Sequence, residues 1–249
     1  MSITKTLIIF LQWHNTNMKS GHILSVISPV FFLLIIMLAG YQVSYAQKGV
    51  AAYTSGSTPY NMTFGQWTIK WWTWLMSTPS NVNPVSDTTG INCAQGQNGP
   101  VWFLAGSTTG KAERSCTVPA DKAIFFPIID SECSYAEYPK LKTESELRSC
   151  AISQNDQATH IDTIVDGVSL QNSQMPRVQS PLFSFKFPPN NIFGATPGDS
   201  QSVADGYYVF LKPLPVGKHE VSFKAVIVQF TTTGTQNFSQ NLLYHLTVK

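Results

Sequence analysis

Charge is scarce in this chain. Asp, Glu, Lys and Arg make up 12% of the residues, against 43% hydrophobic. A disordered chain shows the opposite balance, so a packed core is within reach. Arginine is scarcer still: Arg114, Arg148 and Arg177 are the only ones, and no basic stripe surrounds them. Nucleic-acid binding rests on clustered cations that neutralise phosphates, so no nucleic-acid partner is expected. Lys5 and Lys19 precede residue 46 in a stretch without acids, so the net charge of +2 resides there and the remainder balances at zero. Also missing are a βαβ alternation, a glycine-rich phosphate loop, a G-x-S-x-G nucleophile elbow and any cysteine pair at zinc-site spacing. No cofactor is expected on these grounds.

After residue 46 no long apolar run occurs. Before it, residues 23–39, ILSVISPVFFLLIIMLA, are apolar and uncharged, and Lys19 and His22 lead into them. Ser44 and Ala46 then place small residues at the −3 and −1 positions of a signal-peptidase site. Residues 1–46 therefore read as a secretory signal cleaved after Ala46, with Met18 as a possible true start. The alternative is an uncleaved anchor, because the run approaches spanning length; membrane contact is then confined to this segment. The expected location is extracellular or periplasmic.

Four cysteines follow: Cys93, Cys116, Cys133 and Cys150. An even count in an exported chain reads as two disulfides. Of three possible pairings, Cys93–Cys116 with Cys133–Cys150 is favoured, since each closes a short loop. Asn61-Met62-Thr63 and Asn237-Phe238-Ser239 match the N-glycosylation pattern.

Residues 47–62 read as a flexible leader. Thr63 then opens a helix, with Gln66 completing a capping box. Four of the six tryptophans fall within residues 67–74. Trp67, Trp71 and Trp74 share a stripe with Phe64, which predicts burial against a β layer. Trp72 lies off that stripe, beside Leu75, and is the ring expected to remain free. A second capping box, Thr143 to Glu146, predicts a further short helix. Between and after these helices, short β-patterned runs alternate with turn signals. GPVWFLAG, AERSCTV and KAIFFPII look like a three-strand meander. HIDTIVDGVSLQ looks like a hairpin about Asp166-Gly167, PLFSFKF alternates, and FPPNNIFGATPGDSQSVADG reads as a long loop. The predicted fold is mainly β: an antiparallel β-sandwich, with a jelly roll as its alternative form, spanning residues 63–249 as one domain.

The combination FGQWTIKWWTW, NPVSDTTG, GQNGPVWFLAG and CTVPADKAIFFPII, closed by DGYYVFLKPLPVGKHEVSF, resembles a family of exported bacterial and archaeal proteins without an established activity. The resemblance covers most of residues 63–230. It implies that the Trp-rich helix and the β portion form one unit, and it carries over no catalytic residues.

Three kinds of chemistry can be placed on named residues. Asp130 with Glu132, and Asp162 with Asp166, are carboxylates that could work as an acid and base in glycoside hydrolysis. His160 and Asp162, two apart on one strand, could begin a metal site, with His219 and His245 on the last two strands. Aromatic side chains could stack on sugars: Trp72, Trp102, Tyr207 and Tyr208, with Tyr135 and Tyr138. The leading expectation is a non-catalytic exported protein that binds a glycan or a protein partner. A secreted polysaccharide hydrolase is the rival, and a metal-binding sandwich the third reading. Amino-terminal sequencing of the exported protein should begin at Gln47; a start upstream of residue 40 would mean an uncleaved anchor.

Overall fold

A computed structural model describes residues 50–231 and 234–249. The signal segment lies outside the described residues. Among the described residues, no helix is long and apolar enough to cross a membrane.

The described residues are mainly β, with ten strands in two five-stranded sheets and two α-helices. The strands are β1 (Val101–Phe103), β2 (Lys111–Val118), β3 (Ala123–Ser134), β4 (Ala158–Val165), β5 (Val168–Ser169), β6 (Arg177–Gln179), β7 (Phe183–Phe187), β8 (Gly198–Leu211), β9 (Gly217–Thr231) and β10 (Gly234–Val248). The first sheet has the order β1-β3-β8-β6, with β7 also paired to β8; the second has the order β2-β10-β9-β4-β5. The helices are α1 (Phe64–Ser77) and α2 (Glu144–Asn155).

The sheets face each other across one apolar core. Ile124, Phe126, Val209 and Leu211 of the first sheet meet Val221, Phe223, Leu242 and Leu246 of the second. Phe126 and Phe223 lie 4.8 Å apart between ring centroids. The first sheet is buried on its other face too. There α1 lays Phe64, Trp67, Trp71 and Leu75 onto Phe125, Phe210 and the phenylalanines of β7. Trp71 donates to the carbonyl of Leu104 at 2.9 Å, so the indole N–H is satisfied as its ring is buried. Gly65 permits the close docking, since a Cβ there would meet the Gln179 carbonyl at 2.9 Å. Both capping boxes form, at Thr63–Gln66 and Thr143–Glu146.

Both disulfides take the favoured pairing: Cys93–Cys116 and Cys133–Cys150, with Cα separations of 5.9 and 6.1 Å. Such bridges are consistent with an oxidising compartment. The Asp166-Gly167 turn joins β4 to β5 with positive φ at both residues, 50° and 77°, as a type I′ hairpin requires.

Several expectations are corrected. The sheets are mixed rather than antiparallel: β1 runs parallel to β3, and β10 parallel to β2. The expected meander does not form, because β2 leaves for the second sheet and β3 returns beside β1. The expected long loop is partly strand. Gly198–Leu211 is continuous because it pairs with β3 along one edge, while β7, β6 and an isolated bridge at Ala52 cover the other. Residues 50–62, read from sequence as a flexible leader, are tied down at that edge. The Tyr53 amide donates to the Phe210 carbonyl at 2.8 Å, and Lys212 donates to Ala51 at 2.8 Å.

Replacing Trp71, which is 2% exposed, removes a large buried ring and its hydrogen bond. Trp71→Ala should lower stability by about 3–5 kcal/mol in denaturant titrations; a near-neutral result would contradict its place in the core.

Candidate functional site

Four of the residues singled out from sequence come together at the edge of β3. Asp130 and Glu132 occupy alternate positions on that strand, so both point to the face that carries α1. Tyr208 of β8 points the same way. The register pairs Asp130 with Gly206, and a Cβ at Gly206 would sit 2.4 Å from the Asp130 Cβ. Glycine at 206 therefore makes room for the Asp130 side chain. A bulge between Pro127 and Ile129 precedes the site; it accommodates a proline that has no N–H for the ladder. β1 pairs only with residues 123–125, so beyond it the same edge of β3 has no strand neighbour among the described residues.

A hydrogen-bond chain crosses the helix–sheet contact. The Trp72 indole N–H donates to the Tyr208 hydroxyl at 3.3 Å, and that hydroxyl donates to the Asp130 carboxyl at 3.2 Å. Glu132 is 5% exposed. One of its oxygens accepts from Ser202 Oγ. The other, Oε1, has no partner in the protein. Glu137, in the turn after β3, is its carboxyl neighbour and accepts from Ser134 Oγ at 2.8 Å.

Among the described residues, no cation offsets these two acids. Burial pushes the Asp130 carboxyl well above its usual range, with the charge of Asp205 adding to it and the Tyr208 hydroxyl opposing. Burial likewise pushes Glu132 well up, reinforced by Glu137, while the Ser202 hydroxyl works the other way. Tyr208 is also pushed well above the ordinary phenol value, first by burial and then by Asp130. Burial thus favours the protonated form at both carboxyls, and hydroxyls contact each of them.

The other sites fall apart in the structure. Asp162 and Asp166 lie on the second sheet. Asp162 is 3.5 Å from the Lys224 ammonium. Asp166 accepts from the Glu220 amide and lies 2.7 Å from His219 Nδ1. The carboxylates therefore do not form one set of four. Asp130 and Glu132 remain together, about 7 Å apart along the strand by its rise. Their environments push both the same way, whereas acid–base hydrolysis needs one group protonated and one ionised.

His160 sits in a β4 bulge with φ of 53°. The bulge resets the alternation, so Thr159 rather than His160 shares the face of Asp162. Among the described residues, no group of three His, Cys, Asp or Glu side chains is placed to hold a metal ion.

Three of the four residues expected to bind ligand by stacking are buried. Trp102 lies between the sheets, with its Nε1 unpartnered. Tyr208 has no exposed surface. Trp72, expected to be free, is 5% exposed, because the segment between β7 and β8 brings Phe193 to 6.4 Å from it. Tyr207 is half-buried, with the Arg177 guanidinium 6.0 Å from its ring centre. Exposed large apolar side chains, such as Ile91 and Val216, are scattered rather than gathered.

A concave surface does exist, on the other side of α1. A groove of about 610 Å³ runs between the helix and residues 95–100. Ile69, Pro79 and Pro100 line it with partly exposed apolar surface, over the largely buried rings of Trp67, Trp74 and Phe103. Trp74 is tied to that loop through a 2.8 Å bond from its indole N–H to the Gln95 carbonyl. Thr73, Ser77, Gln95 and Asn98 supply hydroxyls and amides along the walls. Sequence reasoning missed this groove because residues 93–100 carry no pattern of their own.

No protein family, curated protein or solved structure matches this chain.

The acid cluster makes stability depend on pH. A carboxyl that stays protonated in the fold, but ionises in the unfolded chain, gives the folded state more bound protons. Stability is then complete below about pH 4, the ordinary carboxyl range. It falls as pH rises towards the raised folded value, by up to about 1.4 kcal/mol per pH unit for each group. Glu132→Gln keeps an acceptor for Ser202 and places a donor towards Glu137. Urea titrations from about pH 5 to about pH 8 should show a flatter slope for this variant; an unchanged slope would mean that Glu132 does not hold its proton.

Proposed function

We propose that this is an exported, non-catalytic binding protein that takes a glycan chain in the groove beside α1. Export is supported by the signal-like residues 1–46 and by two disulfides in a chain without a free cysteine among the described residues. Membership of the exported family that the sequence resembles is part of the same proposal.

The observation that carries the binding reading is the lining of the groove. Its size lies within the range of ligand sites, and it combines a mostly apolar floor with a few polar groups, as such sites do. Sugar rings have C–H faces that pack on aromatic edges and prolines, and hydroxyls that pair with amides. Ile69, Pro79 and Pro100, which keep exposed surface, supply the first kind of contact over the largely buried rings of Trp67, Trp74 and Phe103, and Thr73, Ser77 and Asn98 supply the second. The groove is held open by structure already in place: α1 is docked on the sheet, Trp74 is bonded to Gln95, and the Gln97 amide bonds both to Phe103 N and to Phe103 O at 2.9 and 2.8 Å.

Titrating oligosaccharides into the purified protein should give a saturating change in tryptophan emission, reported by Trp74 in the lining. Asn98→Ala should weaken binding roughly fivefold, the worth of one neutral hydrogen bond. Tyr207→Ala, on the far face of the first sheet, should leave binding unchanged. A panel of neutral and acidic oligosaccharides that gives no saturable signal would overturn the proposal.

A further inference from the structure

The charge around the groove narrows its ligand. Among the residues lining it, Lys70 is the only one that carries a charge, and no carboxylate is present. Lys70 is exposed and forms no ion pair among the described residues. Its position on α1 is fixed by its neighbours, because Trp67 and Trp74, three residues before and four after it, are both buried in the helix–sheet contact. A second cation stands at the far end. The Lys122 ammonium donates to the Gly99 carbonyl at 2.7 Å, on the loop that forms the opposite wall. Asp121, 3.9 Å from that ammonium, offsets part of its charge but is itself largely exposed. The rest of the lining offers hydroxyls, amides and apolar surface.

A neutral chain would leave Lys70 without a partner. An anionic group on the ligand would pair with it beside a low-dielectric floor, where such a contact is stronger than in open water. We propose that the groove selects anionic saccharides, with Lys70 receiving the carboxylate or sulfate group. This inference rests on the glycan-binding reading above and specifies the ligand class of that site. Lys rather than Arg fits the role, because an ammonium acts as a point charge and accepts either anion without a planar match.

The test compares three oligosaccharides of equal length: neutral, carboxylated and sulfated. Both anionic chains should bind more tightly than the neutral one. Raising the salt from about 0.01 M to about 1 M should remove most of that advantage by screening. Lys70→Gln should weaken the anionic chains roughly tenfold, the worth of a charge-assisted contact, and leave the neutral chain unaffected. If the neutral chain binds as tightly as the others, or if Lys70→Gln weakens all three equally, charge selection is wrong while glycan binding stands. If one anion binds and the other behaves as the neutral chain does, a shaped site rather than a point charge is at work, and the role given to Lys70 fails. If none of the three binds, both readings fall together.

Discussion

The buried guanidinium of Arg114 is the interaction on which the joining of the two sheets depends. Arg114 points inward from β2 and is 1% exposed. It has five N–H donors, and five acceptors meet them. Four are carbonyls, of Val85, Asp87, Ala105 and Gly106, and the fifth is the Tyr244 hydroxyl. Those carbonyls belong to two stretches outside the sheets: the segment that leads from α1 to β1, and the exit from β1 towards β2. Buried loop carbonyls need donors, and one rigid fork supplies them to both stretches at once. Tyr244 then donates to the Ala105 carbonyl at 2.7 Å and accepts from the Ala105 amide at 3.1 Å. No carboxylate contacts the guanidinium, although Asp87 is close by. Burial opposes ionisation of Asp87, but the N–H groups of Asn92, Thr89 and Gly90 hold it below the usual carboxylate range. A buried charge is costly unless fully hydrogen-bonded, and full satisfaction is what this crossover provides. A lysine could not reproduce it, having three donors and no planar fork.

With that junction in place, the mixed sheets follow. The chain leaves β1, crosses to the second sheet as β2 and returns as β3, so β1 and β3 lie parallel. The first sheet has a buried layer on each face, and its central strand shows it. In β3, residues Ala123 to Ile129 are all buried, the continuous apolar run of a strand covered on both sides. The second sheet is covered on one face only, and β2 alternates exposed and buried residues from Arg114 onward.

What could be read from the sequence was local. Both capping boxes, the Asp166-Gly167 hairpin, the Trp stripe and the short-loop disulfides each depend on residues within a few turns of chain, and each is found. What could not be read depends on partners far away. The parallel pairing of β1 with β3 needs the crossover. The start of β8 at Gly198 needs β7 beside it, since Gly, Asp, Ser and Gln have little strand preference of their own. The burial of Trp72 needs Phe193. The carboxylates show the same divide. Asp130 and Glu132 could be placed on one face from their spacing alone. The upward push on both carboxyls arises first from burial and then from Asp205 and Glu137, with the Tyr208 and Ser202 hydroxyls opposing it, and all of these come from other elements. The groove could not be anticipated, because one wall of it is built from residues 95–100, which have no periodicity.

Helix α1 separates the two polar regions and ties them together. At 100° per residue, Trp67, Lys70, Trp74 and Ser77 share one flank, which forms the groove wall, while Thr68 and Trp72 share the other. The second flank is locked: Trp72 bonds to Tyr208, Tyr208 bonds to Asp130, and Thr68 Oγ1 donates to the Phe64 carbonyl at 3.1 Å. A helix held on one side through a buried chain, and on the other through the Trp74–Gln95 contact, has little freedom to roll. Ligand affinity is lost when a site must be ordered as the ligand binds, and here the ordering is complete beforehand. The two buried carboxyls make this arrangement costly, because burial disfavours their charged form. Removing the acids in favour of apolar residues would relieve the cost of burial but would leave the Tyr208 hydroxyl, fully buried beneath α1, without its acceptor.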